Sequence, residues 1–184
     1  DWTCHVLRGA DFRVVAGVNA GDALEAVEDL CPGDIYRLSD DGPAWRLAVR
    51  EAGDDAARSG PATFSTAVAR RVAAGSEVGT AGDRVVLEAR LTLMAPDGGR
   101  AQILLIAVTS AEGEASDLRC ALPLDPIEPG ADYTLIGIDT DPGTVPLADV
   151  TSIAFGRGTA ITLADGRQVP IEDLEPGMRV LTHN

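Results

Sequence analysis

Along much of the chain apolar and polar residues alternate with a period of two. Val85, Leu87, Ala89, Leu91 and Leu93 share one parity, and Arg84, Val86, Glu88, Arg90 and Thr92 share the other. Successive strand side chains point to opposite faces, so this spacing predicts a half-buried strand with one wet face. Asp97-Gly98-Gly99 follows, and then the apolar run Ile103 to Val108. That order is a hairpin signal, because glycine supplies the positive φ of a tight turn. Trp45 to Arg50 and Leu118 to Leu122 alternate in the same way, and Asp34 to Leu38 and Tyr133 to Ile138 read as further strands. Strands at this spacing, with Gly, Pro and Asp between them, predict a mostly β chain built as a β-sandwich or barrel-like domain.

Three stretches depart from that pattern. Asp22 to Leu30 has apolar residues at 23, 24, 26, 27 and 30, which predicts a short helix capped by Asp22. Gly53 to Gly82 is rich in Ala, Gly and Ser and is expected to be mobile in part, with Phe64 to Ala74 open between a strand and a helical turn. Asp139 to Pro146 carries two prolines and Gly143 and reads as a linker or domain edge. Residues 1–145 are therefore expected to form one β domain and residues 150–184 a small separate block. In that block Ala160 to Leu163 and Gln168 to Ile171 are strands around an Ala164-Asp165-Gly166 turn, and Met178 to Leu181 is a last strand. Hairpins of this length cannot bury a core alone, so the block must pack on the first domain or belong to a larger unit.

The block has a recognisable order. Ala154-Phe155-Gly156-Arg157-Gly158-Thr159-Ala160-Ile161-Thr162 is followed by Asp165-Gly166, by Val169-Pro170-Ile171-Glu172-Asp173-Leu174, and by Pro176-Gly177-Met178-Arg179-Val180-Leu181-Thr182. This resembles the opening motif of bacterial hedgehog/intein (Hint) domains, and Asp132 to Asp139 is similar to what precedes that motif in such proteins. The resemblance implies an N-terminal, extein-like region followed by the first hairpins of an incomplete Hint module. Hint domains cut their own upstream peptide bond. A first-position Cys or Ser takes the preceding acyl group, a downstream Thr-x-x-His protonates the leaving nitrogen, and a second nucleophile resolves the ester. Here the junction would be Ile153/Ala154, and Ala154 offers only a methyl group at the nucleophile position. Ser152 is out of register, Met178 replaces an Asp, and Thr-x-x-His would fall beyond residue 184. Gly158, Thr159, Asp165, Gly166, Glu172 and Gly177 match the motif but read as turn and fold residues, so no residue of this chain is expected to be catalytic. Ala154 reads as natural divergence before it reads as a substitution introduced to block cutting. The terminal His183-Asn184 resembles an intein ending only by coincidence, and the stop reads as a truncation or a cut in an exposed loop.

Charge narrows the partners. Of 184 residues, 15 are basic, all of them Arg, and 29 are acidic, a net charge of −14. That field repels phosphate backbones and anionic surfaces, so neither nucleic acid nor an anionic membrane is an expected partner. No apolar run reaches a membrane span. The chain begins at Asp1 without a signal peptide in view, which implies an upstream segment and leans localisation toward secretion or the cell surface. Homo-oligomerisation stays open.

Other candidates are weaker. Cys4, Cys31 and Cys120 form no metal-ligand spacing, and one disulfide stays open. His5 beside Cys4 reads as a half-buried strand residue before it reads as a nucleophile pair. Asp139 and Asp141, like Asp40-Asp41 and Asp54-Asp55, could offer oxygens to Ca²⁺ but read first as solvated turn residues. No dinucleotide, P-loop or Gly-x-Ser-x-Gly fingerprint occurs, so no cofactor is expected. The alternative to a processing precursor is a non-catalytic β-sandwich module for binding or assembly, with a degenerate Hint block extending its sheet.

Overall fold

The computed structural model describes residues 1–51, 63–65, 68–111, 117–146, 150, 160–164, 167–170, 173 and 178–179. The strand that the alternation predicts is Arg84–Met94, and the hairpin leads into Arg100–Thr109. Gly98 sits at φ +83° in the intervening turn, and the Asp97 carboxylate accepts the Gly99 N–H at 2.8 Å. In chain order the strands are β1 (Trp2–Arg8), β2 (Phe12–Ala16), β3 (Ile35–Leu38), β4 (Trp45–Glu51), β5 (Thr63–Ser65), β6 (Arg70–Val72), β7 (Arg84–Met94), β8 (Arg100–Thr109), β9 (Leu118–Pro123), β10 (Asp132–Asp139), β11 (Thr144–Pro146), β12 (Ala160–Thr162) and β13 (Gln168–Pro170).

The odd positions of β7 are buried, as the alternation requires, but they do not share one face. Leu87 pairs with Ile106 and Ala89 with Leu105, so Glu88 is an extra residue, a β-bulge. The extra residue reverses the phase of the strand against its partner. Val85 and Leu87 join one hydrophobic core, and Ala89, Leu91 and Leu93 join another. Neighbouring β8 carries no bulge of its own. Leu104, Ile106 and Val108 enter the first core, and Ala101, Ile103 and Leu105 enter the second. Both faces of β8 are covered, which is why its sequence is a continuous apolar run and not an alternation.

The first core fills a closed barrel. β1 pairs with β4, β4 with β6, β6 with β7, β7 with β8, β8 with β9, and β9 returns to β1 through Leu7↔Ala121 and Arg8↔Cys120. All six contacts are antiparallel. A six-stranded ring of this size is filled by side chains. Cys4, Val6, Leu47, Val49, Leu104, Ile106 and Leu122 occupy its interior. The second core lies on the outer face of β7, β8 and β9. There β10 pairs with the C-terminal half of β7, β3 with β10, and β2 with β3. Phe12, Val14, Tyr36, Leu38, Tyr133 and Leu135 from this added layer cover Leu91, Leu93, Ile103 and Leu105. The architecture is thus barrel-like with an added sheet layer.

The helix expected over Asp22–Leu30 is shorter and of another kind. Val14 N–H donates to the Asp22 carbonyl at 2.9 Å, Leu24 N–H donates to the Phe12 carbonyl at 2.9 Å, and Arg13 bridges Ala23. Residues 22–24 thus pair with the free edge of β2, and the Asp22 carbonyl and the Leu24 N–H that a helical ladder would need are already taken. Only Val27–Asp29 turns, as a 3-10 helix with no side-chain cap. Part of the stretch from Gly53 to Gly82 expected to be mobile, residues 53–62 and 66–67, lies outside the described residues. Within it β5 and β6 are strands. The stretch Asp139–Pro146, expected as a linker, contains β11, which pairs with β5. By compactness the chain divides into Asp1–Ile153 and Ala154–Asn184. In the second unit β12 and β13 form a hairpin with Ile161 opposite Val169.

The bulge generates a prediction. Glu88→Ala keeps the phase reversal and loses only the Arg119 ion pair at 2.9 Å, so the protein should fold with a melting temperature lower by about 2–6 °C. Deleting Glu88 makes Leu87↔Ile106 and Ala89↔Leu105 consecutive pairs, so Leu91 and Leu93 should stay in the second core and the variant should still unfold cooperatively. A deletion variant that loses cooperative unfolding would show that Glu88 is not the extra residue that sets the phase.

Candidate functional site

The segment that approaches the Ile153/Ala154 junction is held by the barrel. Val145 on β11 is 2% exposed and Val150 is 1% exposed, and both belong to the barrel core with Phe64. Phe64 packs edge-on against Trp2 with ring centres 5.5 Å apart. Arg70 anchors this end. Its guanidinium lies 4.8 Å from the Phe64 ring centre and donates to the carbonyls of Thr63 at 2.6 Å, Ser65 at 2.8 Å and Val68 at 3.0 Å. Burial lowers its pKa below the usual arginine value, and Glu51 at 3.6 Å opposes that shift. One buried cation thus ties β5 in place, and β5 holds β11. The chain leaving the barrel starts from a fixed strand.

Ile153, Ala154, Gly158, Thr159, Asp165, Gly166, Glu172 and Gly177 lie outside the described residues. What is described of the second unit is the expected hairpin. Leu163 N–H closes it on the Arg167 carbonyl at 2.8 Å, and Ala164 N–H donates to the Arg179 carbonyl at 2.8 Å. Met178 and Arg179, expected to open a last strand, carry no strand pairing among the described residues.

The remaining sequence candidates separate. Asp141 N–H donates to the Asp139 carboxylate at 3.0 Å, the bond of an aspartate turn. Among the described residues no three His, Cys, Asp or Glu side chains converge on a common point. Cys4 points into the barrel and His5 points out, since neighbours on a strand face opposite ways, so the two cannot act as a pair. All three cysteines are free thiols. Burial pushes Cys4 up to about 12 and Cys120 up to about 11. Both are inert as nucleophiles at neutral pH.

Two surface cavities carry chemistry that sequence reasoning passed over. One, of about 440 Å³, lies beside the start of β9 and is lined by Arg8, Leu24, Glu25, Glu77, Asp117 and Arg119, among others. Its cations are already engaged. Arg8 stacks 3.4 Å from the Trp45 ring centre, and Arg119 meets Glu88 at 2.9 Å and Asp117 at 3.4 Å. The other, of about 330 Å³, lies between the 19–30 segment and β3 and is lined by Asn19, Asp22, Glu25, Asp29, Leu30 and Tyr36, with Ala23. In the sequence these acids resemble the polar face of a helix. The available signal was a run of acids with no basic residue between Arg13 and Arg37.

The buried thiols predict both reactivity and pH dependence. Native protein at pH 8 should react with a thiol reagent at half-buried Cys31 alone. A raised folded-state pKa gives stability that is complete below the unfolded value and lost above it. Stability should therefore fall as pH rises from the ordinary thiol value of 9.0 toward about 12. Urea unfolding of the parent and of Cys4→Val at pH 8 and pH 10 checks this; equal losses in both would remove Cys4 as the cause.

Comparison with family models, with curated proteins and with solved structures finds no match to this chain.

Proposed function

We propose that this chain is the N-terminal region of a Hint-domain protein. The complete Hint module would process the chain by acyl shift at Ile153/Ala154, and the chain itself is inactive. The observation that carries this reading is the agreement of two boundaries found in different ways. The Hint-like motif opens at Ala154, and the compact units divide between Ile153 and Ala154. The β12–β13 hairpin around the motif's turn supports it further. The reading also explains why the approach to the junction is tethered. A carbonyl that must meet a nucleophile at about 3–3.5 Å gains from a fixed upstream chain, and Val150 is buried four residues before Ala154. The inactivity follows from chemistry. An acyl shift needs a thiol or hydroxyl at position 154, and the Ala154 methyl group has no lone pair to attack with.

A second reading is a non-catalytic module for binding or assembly, its Hint block serving only as structure. The cavities on the barrel and its added layer favour it.

Intact mass decides between them. A gene product extended through a Thr-x-x-His motif, carrying Ala154→Cys, should release a fragment ending at Ile153, and hydroxylamine should increase the yield. The same chain with Ala154 should stay whole. If the Ala154→Cys chain also stays whole, with and without hydroxylamine, the processing reading fails and the binding reading stands.

A further inference from the structure

The outer wall of the barrel lines up positive charge. On β4, β6 and β7 the side chains of Val49, Val72 and Val85 enter the first core, so their chain neighbours Arg50, Arg71 and Arg84 point outward. Arg50 lies directly opposite Arg71, and Arg71 directly opposite Arg84. On the same face Arg46 of β4 lies opposite His5 of β1. All five residues are exposed. The added layer packs on β8, β9 and the C-terminal half of β7, and leaves this wall bare among the described residues.

Like charges directly opposite on neighbouring strands destabilise the pair. Elsewhere in the sheet the register brings opposite charges together. Arg37 lies opposite Asp132 and meets it at 2.6 Å, and Arg70 lies opposite Glu51, 3.6 Å away. Arg13 also faces Arg37, but Asp132 on the next strand offsets that pair. On the wall, among the described residues, only Arg50 meets an acid: Asp1 at 3.0 Å, an exposed pair of little strength. Arg71 donates to the Gly82 carbonyl at 2.8 Å, and the side chains of Arg46 and Arg84 have no partner among the described residues. Two acids of the loop between β6 and β7 are spent on backbone. Glu77 accepts the Arg46 N–H at 2.7 Å, and Asp83 accepts the N–H groups of Thr80 at 2.7 Å and Ala111 at 3.1 Å. The fold thus keeps a row of guanidinium groups that repel one another and find few acceptors within the chain.

We propose that this wall docks an acidic polypeptide segment, whose side-chain carboxylates accept from Arg46, Arg71 and Arg84. A guanidinium holds a carboxylate with two parallel hydrogen bonds, which a point charge cannot do. Neighbouring strands lie about 4.8 Å apart, and alternate residues of an extended chain about 6.8 Å apart, a difference that flexible arginine arms can span. An extended acidic segment lying across β4, β6 and β7 therefore meets one fork after another. The attraction is local. The chain as a whole carries −14, but at physiological salt exposed charges are screened beyond about 8 Å. Nucleic acid fits less well. Its one charge per roughly 1.7 Å of duplex meets the acidic remainder of the surface, and among the described residues no aromatic side chain is exposed to stack on a base. This inference is independent of processing at residue 154.

The test is amide chemical-shift mapping on the full 184-residue chain, in 0.15 M NaCl (roughly physiological screening), with acetylated octaglutamate as the probe. Octalysine and single-stranded DNA serve as comparisons, and sedimentation of the protein alone reports self-association. The expected result is saturable shifts confined to β4, β6 and the start of β7 with octaglutamate, weaker binding of DNA, and no response of the wall to octalysine. Arg71→Gln with Arg84→Gln should weaken octaglutamate binding about tenfold. Without peptide, Arg84→Gln should melt no lower than the parent, because it removes a repulsion and no bond; a lower melting temperature would show that the fold itself needs this side chain and would overturn the proposal. Shifts that do not saturate, shifts centred away from the wall, or unchanged affinity in the double variant would do the same. DNA binding tighter than octaglutamate would make the wall a nucleic-acid surface instead, and self-association lost in the double variant would make its occupant a second copy of this chain.

Discussion

Ile103–Val108 of β8 is buried on both faces, and the rest of the first unit follows from that burial. A strand covered on one side only would allow an open sheet with a wet back. Here Leu104, Ile106 and Val108 close the barrel, while Ile103 and Leu105 require a second cover. The chain supplies it by folding β10, β3 and β2 across the outside. Each fully buried aliphatic side chain contributes on the order of 1.5–3 kcal/mol by leaving water. Leaving Ile103 and Leu105 uncovered would forfeit that at each position. The bulge at Glu88 is the geometric device that lets neighbouring β7 serve both cores. Its side chain is mostly buried and pairs with Arg119 across β8, a position where a charged side chain can be tolerated because its partner is fixed.

A second constraint acts at the end of the barrel where Phe64 sits. A closed ring of strands still has two open ends, and an apolar interior reached by water would weaken it. β5, β11 and Val150 cover one end, with Arg70 as the hub of backbone carbonyls that would otherwise face inward unpaired. Because this plug is made from the chain just before residue 154, the proposed processing junction and the stability of the barrel are linked. Whatever happens at the junction happens next to a segment that cannot swing freely.

Much of this was legible before any coordinates. β4, β7, β8, β9 and β10 follow from alternation or continuous apolar runs, the turn at Gly98 from its glycines, and the β12–β13 hairpin from its turn residues. The candidate site was far less legible. Asp22, Glu25 and Asp29 are spaced like the wet face of a helix, and only the ladder from residues 22–24 to β2 turns them into a cavity wall. Tyr36 reads as an ordinary strand residue, and nothing local places it beside those acids. Cys4 and His5 adjoin in sequence and diverge in space, for the same period-two reason that predicted the strands.

The sequence by itself determined the class of this protein: strands, because period-two burial and glycine turns are local properties that each segment carries alone. It also determined the net charge of −14. Only the tertiary structure decided which face of each strand met which core. The parity of Val85 to Leu93 is unbroken in sequence, and the phase reversal at Glu88 exists only against β8. It likewise decided that residues 22–24 would seal a sheet edge and not form a helix. Backbone hydrogen bonds go to whichever partner saves more buried surface, and that partner, β2, is known only once the chain has folded.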